Sequence, residues 1–213
     1  MATVGVLVSG SGSNLQAMLD GVADGSLPCR VALVISNRPA AAALARAAAA
    51  GVATRIIPHG DFPSREAFDG AVVEALRAAG VDIVALAGFD RLVTPVLLRA
   101  FPGRVLNVHP ALLPAFKGLH AQRQALEYGV RIAGATVHLV DEAMDHGPIV
   151  LQGAVAVAPD DTEETLARRI LAVEHVIYPA ALRLLAEGRL EVDGRRVRIR
   201  GDAPPLPPPL IAS

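Results

Sequence analysis

Five short apolar, β-branched runs, each followed by a stretch of helical spacing, constrain this chain more than any other feature of its sequence. Residues 3–8 precede Leu15, Met18, Leu19 and Val22; residues 31–35 precede 40–50; 54–57 precede 65–79; Ile83–Leu86 precedes Pro95–Ala100; and 105–108 precede 122–128. Runs without polar alternation need cover on both faces of a sheet, and strands separated by amphipathic helices run parallel. The expected class is therefore α/β, a Rossmann-like, mostly parallel sheet with helices on both faces.

The rhythm changes after Gly129. Residues 132–140 and 149–156 are strand-like with only the turn 141–148 between them, which predicts an antiparallel pair. A long helix should begin at Asp161-Thr162-Glu163-Glu164, a polar cap followed by acids where the helix dipole favours them. Pro179 is expected to bend or divide that helix before Gly188. Residues 190–192 and 196–199, joined through Asp193-Gly194, read as a hairpin that forms an antiparallel C-terminal extension. No repeat or linker separates two units, so residues 1–202 read as one domain and 203–213 as a proline-rich tail.

Composition excludes several classes of function. Twenty basic against 21 acidic side chains in 213 residues leave a net charge of −1, too weak a positive field for a general nucleic-acid binder. No apolar run reaches the roughly 18 residues of a membrane span. Cys29 is the lone cysteine, which rules out an internal disulfide framework and a multi-cysteine metal centre, and no HExxH-like spacing points to a metal. The first eight residues lack a basic flank and their apolar run breaks at Ser9-Gly10, so they do not read as a secretion signal. A cytoplasmic protein is expected, with a homodimer left open. The alanine-rich segment 40–50 carries no chemistry of its own.

The turn Ser9-Gly10-Ser11-Gly12-Ser13-Asn14 stands where the first strand hands over to a helix. Its glycines let main-chain N–H groups approach an anion at the helix N-terminus. A dinucleotide fingerprint would add a third glycine where Leu15 stands, and an acid after the second strand where the chain has Ser36-Asn37-Arg38. A Walker lysine is also missing. The loop points instead to a single phosphate monoester, held by amides and by the side chains of Ser13 and Asn14; a plain tight turn is the alternative.

Asn107 and His109 end the fifth strand, and a spacing of two puts both on one side of it. Asn107 can donate to an oxygen that gains negative charge, and His109 can donate a second hydrogen bond or shuttle a proton. Such a pair suits acyl transfer, although His109 could equally be a strand-end histidine bonded to a loop carbonyl. Asp145 lies in a turn long enough to reach a neighbouring strand end, where a carboxylate would orient an imidazole. His138 reads as strand interior, His120 and His175 as structural, His59 and His146 as solvated.

Four blocks together carry a resemblance: Val8-Ser9-Gly10-Ser11-Gly12-Ser13-Asn14-Leu15-Gln16, Ala87-Gly88-Phe89-x-Arg91, Asn107-Val108-His109-Pro110-Ala111-Leu112-Leu113-Pro114 and Asp145-x-Gly147-Pro148. The chain resembles the folate-dependent phosphoribosylglycinamide formyltransferases of purine synthesis, from Val4 to about Leu190. The resemblance implies that Gly12, Ser13 and Asn14 hold the phosphate of glycinamide ribonucleotide and that Glu174 binds its ribose hydroxyls. Arg65, Arg91, Leu92, Val93, Asn107, Asp141, Glu142 and Asp145 would enclose 10-formyltetrahydrofolate, with no metal. Asn107, His109 and Asp145 would be the catalytic trio. On this reading residues 1–100 form a phosphate-binding half and 101–202 a folate and catalytic half.

Three residues depart from the family pattern. Asp90 stands where relatives carry methionine or another apolar residue, Leu171 where a polar side chain often helps hold the substrate, and His146 adds an imidazole beside Asp145. Among rivals, a transfer-RNA formyltransferase should continue into a further basic domain, and a formyltetrahydrofolate deformylase should carry a domain before the first strand. A non-catalytic or NAD-type nucleotide module lacks its third glycine and ribose acid here.

Overall fold

The computed structural model describes residues 1–202; the proline-rich tail lies outside them. Its strands are β1 (Ala2–Val8), β2 (Cys29–Ser36), β3 (Ala53–Ile56), β4 (Ile83–Leu86), β5 (Val105–His109), β6 (Ile132–Leu139), β7 (Ile149–Ala156), β8 (Leu190–Asp193) and β9 (Arg196–Ile199). Its helices are α1 (Ser13–Ala23), α2 (Ala42–Ala49), α3 (Arg65–Ala78), α4 (Pro95–Ala100), α5 (Ala121–Tyr128) and α6 (Glu163–Ala186). The first seven strands form one sheet in the order β3-β2-β1-β4-β5-β6-β7, and β8-β9 is a separate hairpin. Pairing is parallel from β3 through β5 and antiparallel for β5–β6 and β6–β7.

Alternation along β1 shows why the sheet needs two covers. Val4, Val6 and Val8 pack with Leu15 and Met18 of α1 and Ile177 of α6 on one face, while Leu7 packs with Phe68, Val72 and Leu76 of α3 on the other. The expected cover fails at β3, whose four residues are all exposed because it is the edge strand. Pro179 does not divide α6, which runs unbroken through 24 residues. Proline removes one donor from the helix ladder, and Tyr178, Ala181 and Leu182, buried on either side of it, hold the helix against the sheet.

Strand order reverses beside β1, which neighbours β2 on one side and β4 on the other, so the turns leaving β1 and β4 diverge and open a crevice. Tyr178 closes its floor. Its buried hydroxyl lies 2.9 Å from the Leu86 carbonyl and 3.1 Å from that of Leu106, so it ties α6 to the ends of β4 and β5. Tyr178→Phe keeps the ring and removes this donor, and should lower unfolding free energy by about 1–2 kcal/mol in urea titrations with no change in far-UV dichroism.

Candidate functional site

Gly12 enters α1 in the left-handed region, at φ 72 and ψ 28. A Cβ there would meet Ala43 Cβ at 2.5 Å and Ala43 Cα at 2.7 Å, because the Ala43 N–H donates to the Gly10 carbonyl and draws α2 onto the turn. No side chain caps α1, so its first N–H groups are left to an external acceptor. Arg46 supports the turn from outside, donating from Nε to the Ser11 carbonyl at 2.9 Å and from Nη1 to Gln16 at 3.2 Å. The alanine-rich segment thus does carry a functional contact, which the alanine background concealed. Ser13 faces a cavity of about 820 Å³ shared with Arg46 and His175, whose buried Nε2 has no partner.

Asn14 and Glu174 form a buried pair, with Asn14 Nδ2 donating to Glu174 Oε2 at 2.7 Å. Asn14 Nδ2 spends one of its two hydrogens on Glu174, which leaves the second for a ligand, while its orphaned Oδ1 can only accept. Main-chain N–H groups and the Ser13 hydroxyl remain for an anion. Burial pushes the Glu174 carboxyl above the usual range, against the opposing pull of the Asn14 amide. The pair lines a cavity of about 380 Å³ with Gly88, Val108, Pro110 and Leu171. Buried acceptors without donors suit a ligand that brings hydroxyl groups.

Asn107, His109 and Asp145 are brought together. His109 is 5% exposed, with Nδ1 3.4 Å from Asp145 Oδ2 and Nε2 donating to the Phe116 carbonyl at 2.8 Å. Both sequence readings of His109 thus coexist, the strand-end bond at one nitrogen and the carboxylate at the other. Two acceptor oxygens flank the ring, so only its doubly protonated form donates to both. Asp145 is left-handed at φ 48, and the Gly118 N–H donates to its Oδ2 at 2.9 Å. The turn folds back tightly: a Cβ on Gly147 would lie 1.8 Å from the Leu139 carbonyl oxygen.

His138 was read as strand interior, and it is buried in β6, but it also belongs to the site. Its Nδ1 donates to the Leu139 carbonyl at 2.9 Å, which leaves Nε2 to accept from Asn107 Nδ2 at 3.3 Å. Burial lowers the His138 imidazole below the ordinary histidine range, over the opposing pulls of the Leu139 carbonyl and Asp145. A neutral ring is what Asn107 needs as an acceptor. No motif exposes this residue; its one signal is that strand pairing sets it opposite Asn107.

Arg65, Arg91, Leu92, Val93, Asn107, Asp141, Glu142 and Asp145 all line one cleft of about 650 Å³. Leu92, Leu119 and Met144 leave large apolar surfaces exposed on its wall. Gly88, Val108 and Pro110 border this cleft and the Asn14–Glu174 cavity alike, so the two meet beside Asn107 and His109.

The departures have structural partners. Asp90 accepts from Ser9 Oγ at 2.8 Å, Asn37 Nδ2 at 2.9 Å and the Arg38 guanidinium, which joins the ends of β1 and β2 to the segment after β4. Burial alone would raise its carboxyl, but these donors outweigh burial and hold it below the usual carboxylate range. His146 is not simply solvated: it lies 2.7 Å from Asp141 Oδ2 and 3.0 Å from Arg195 of the β8-β9 hairpin. Leu171 contributes no polar atom to its cavity.

Comparison with known proteins gives the family. The formyl transferase model matches residues 2–182. The chain belongs to the formyl transferase family. It is 40% identical over 205 residues to the phosphoribosylglycinamide formyltransferase of Escherichia coli K12, covering 93% of this chain and 97% of that protein. It is also 47% identical over 204 residues to the trifunctional purine biosynthetic protein adenosine-3 of Drosophila pseudoobscura pseudoobscura, of whose length it spans 15%. Among solved structures, glycinamide ribonucleotide transformylase 1 from Symbiobacterium toebii superposes with a TM-score of 0.92 at 60% identity, over 93% of this chain and 94% of that one. The family match spans the seven-stranded sheet and most of α6.

Glu174 gives this family member a stability test. Its folded carboxyl holds a proton more tightly than the unfolded chain does, so ionising it destabilises the fold as pH rises through the carboxylate range. Glu174→Gln should therefore raise the melting temperature, with an advantage that is absent at low pH, grows with rising pH and then levels off. Melting curves from about pH 4 to 8 check the sign.

Proposed function

We propose that the protein transfers the formyl group of 10-formyltetrahydrofolate to the amine of glycinamide ribonucleotide, a step of purine synthesis. One observation supports this reading: a cavity lined by Asn14 of the uncapped α1 N-terminus, with the orphaned Asn14 Oδ1 on its wall, opens beside a larger, partly apolar cleft, and Asn107 and His109 stand where the two meet. The first would take a sugar phosphate that brings the nucleophile. The second fits a planar, largely apolar folate, with Leu92, Leu119 and Met144 against its rings.

The residues act on charge. As the amine adds to the formyl carbon, the formyl oxygen becomes an oxyanion. Asn107 gives it the Nδ2 hydrogen that His138 does not use. His109 gives it Nε2–H, which now rests on the Phe116 carbonyl, so the oxyanion takes that carbonyl's place. Asp145 balances the positive imidazolium through Nδ1. A proton must also pass from the incoming amine to the departing folate nitrogen, and Asp145, 11% exposed, lies where it can order a water to carry it. Glu174 and Asn14 Oδ1 accept from the ribose hydroxyls, and α1 holds the phosphate.

Every residue that the proposal uses lies in this one chain. The proposal extends to a cytoplasmic location; among the described residues no helix is long and apolar enough to cross a membrane.

Formyl loss from 10-formyltetrahydrofolate, followed by absorbance, should require glycinamide ribonucleotide. Loss at the same rate without the amine would replace transfer by hydrolysis. Asn107→Ala and His109→Ala should each lower kcat by about 100-fold or more, since an oxyanion donor contributes roughly 2.7–4 kcal/mol. His138→Ala should lower kcat by about tenfold with KM little changed, because it frees the Asn107 amide to turn without removing it.

A further inference from the structure

Reading the protein as a transferase to glycinamide ribonucleotide brings a phosphomonoester to the turn before α1, and with it nearly two negative charges at neutral pH. Asn14, at the end of the turn, lines the cavity of about 380 Å³, whose wall carries two carboxylates, buried Glu174 and exposed Glu164. The helix N-terminus offsets about half a charge. The turn itself contains neither lysine nor arginine, and Arg46 is engaged by the Ser11 carbonyl and Gln16. A cation is needed on the open side. Among the described residues lining the cavity, Arg168 is the one that can supply it.

Glu164, Arg168, Leu171 and Glu174 follow at four- and three-residue steps along α6, with Ala167 next to Arg168, so they share the face turned to this cavity. Leu171, between Arg168 and Glu174, offers no hydrogen bond. Arg168 reaches Glu164 at 3.4 Å, but the two side chains are 68% and 80% exposed, and pairs of this kind hold weakly. A phosphate offers the same guanidinium a bidentate, doubly charged partner. Asn14 Oδ1, buried on the same wall without a donor, independently marks the cavity as a ligand site.

We propose that Arg168 is a substrate-binding residue: it leaves Glu164 and clamps the substrate phosphate from the α6 side. The inference rests on the acceptor assigned above. It gives this chain a phosphate contact at 168, one turn before the apolar Leu171.

The test compares affinity for glycinamide ribonucleotide with affinity for glycinamide riboside, which lacks the phosphate, by calorimetry on the whole protein and on Arg168→Ala and Arg168→Lys. Formyl transfer is assayed on the same preparations. Arg168→Ala should weaken nucleotide binding about tenfold and leave riboside binding within twofold. Arg168→Lys should recover part of the loss, and wild-type nucleotide affinity should fall more steeply with salt than that of the alanine variant. In turnover, KM for the nucleotide should rise while kcat and the KM for the folate hold. Equal weakening of nucleotide and riboside, or no weakening of either, overturns the role of Arg168. A wild type whose nucleotide binding depends on Arg168 but which transfers no formyl group upholds the clamp and overturns the activity.

Discussion

The site depends on one register: β6 runs antiparallel to β5 with His138 opposite Asn107. This pairing puts a neutral imidazole acceptor against an amide that must point its remaining hydrogen into the cleft. A slip of one residue would send His138 to the other face of the sheet and leave Asn107 free to rotate. The register irregularity between Val137 and His138 in the β6–β7 pairing lies at the same point, and bulges beside sites commonly re-aim a side chain. Asp145 then reaches His109 because the turn after β6 doubles back, a path that Gly147 permits by lacking a Cβ.

The sheet, its two covers and the antiparallel end were legible in the sequence because each rests on local periodicity. The glycine turn before α1 and the placement of the Asn-x-His pair were legible because their spacing alone sets their geometry. Pro179 misled, since a proline's local cost is one lost donor whereas the packing of Tyr178, Ala181 and Leu182 is collective and invisible in a window. His138 and Arg46 were missed for a related reason. Their partners, Asn107 and the Ser11 carbonyl, lie 31 and 35 residues away, and neither residue sits in a motif. The bond from Asn14 to Glu174 was not legible, because chain order cannot show that Glu174, 160 residues on, takes one hydrogen of its amide.

Asp90 illustrates how a polar residue can stand at a position where apolar ones serve. A carboxylate at the crevice would be costly without partners. Here Ser9, Asn37 and Arg38 supply donors from the ends of β1 and β2, and Asp69 accepts from the N–H of Thr94 at 2.5 Å at the other end of the same segment. Residues 88–94, which form one wall of the large cleft, are thus pinned at both ends. The polar network does for this segment what packing does for the sheet.

The two cavities divide the electrostatic work. Around His109 the protein has gathered acceptors, the Asp145 carboxylate near one ring nitrogen and the Phe116 carbonyl on the other. Around Asn14 burial disfavours charge on Glu174, and the orphaned Asn14 Oδ1 awaits a donor. Beside Asn14, the uncapped α1 N-terminus offers main-chain donors. A ligand with a negative end, a run of hydroxyls and a nucleophile beyond them meets complementary groups in that order. A ligand lacking the negative end would leave the uncapped N–H groups without a charged partner, so the arrangement discriminates against it.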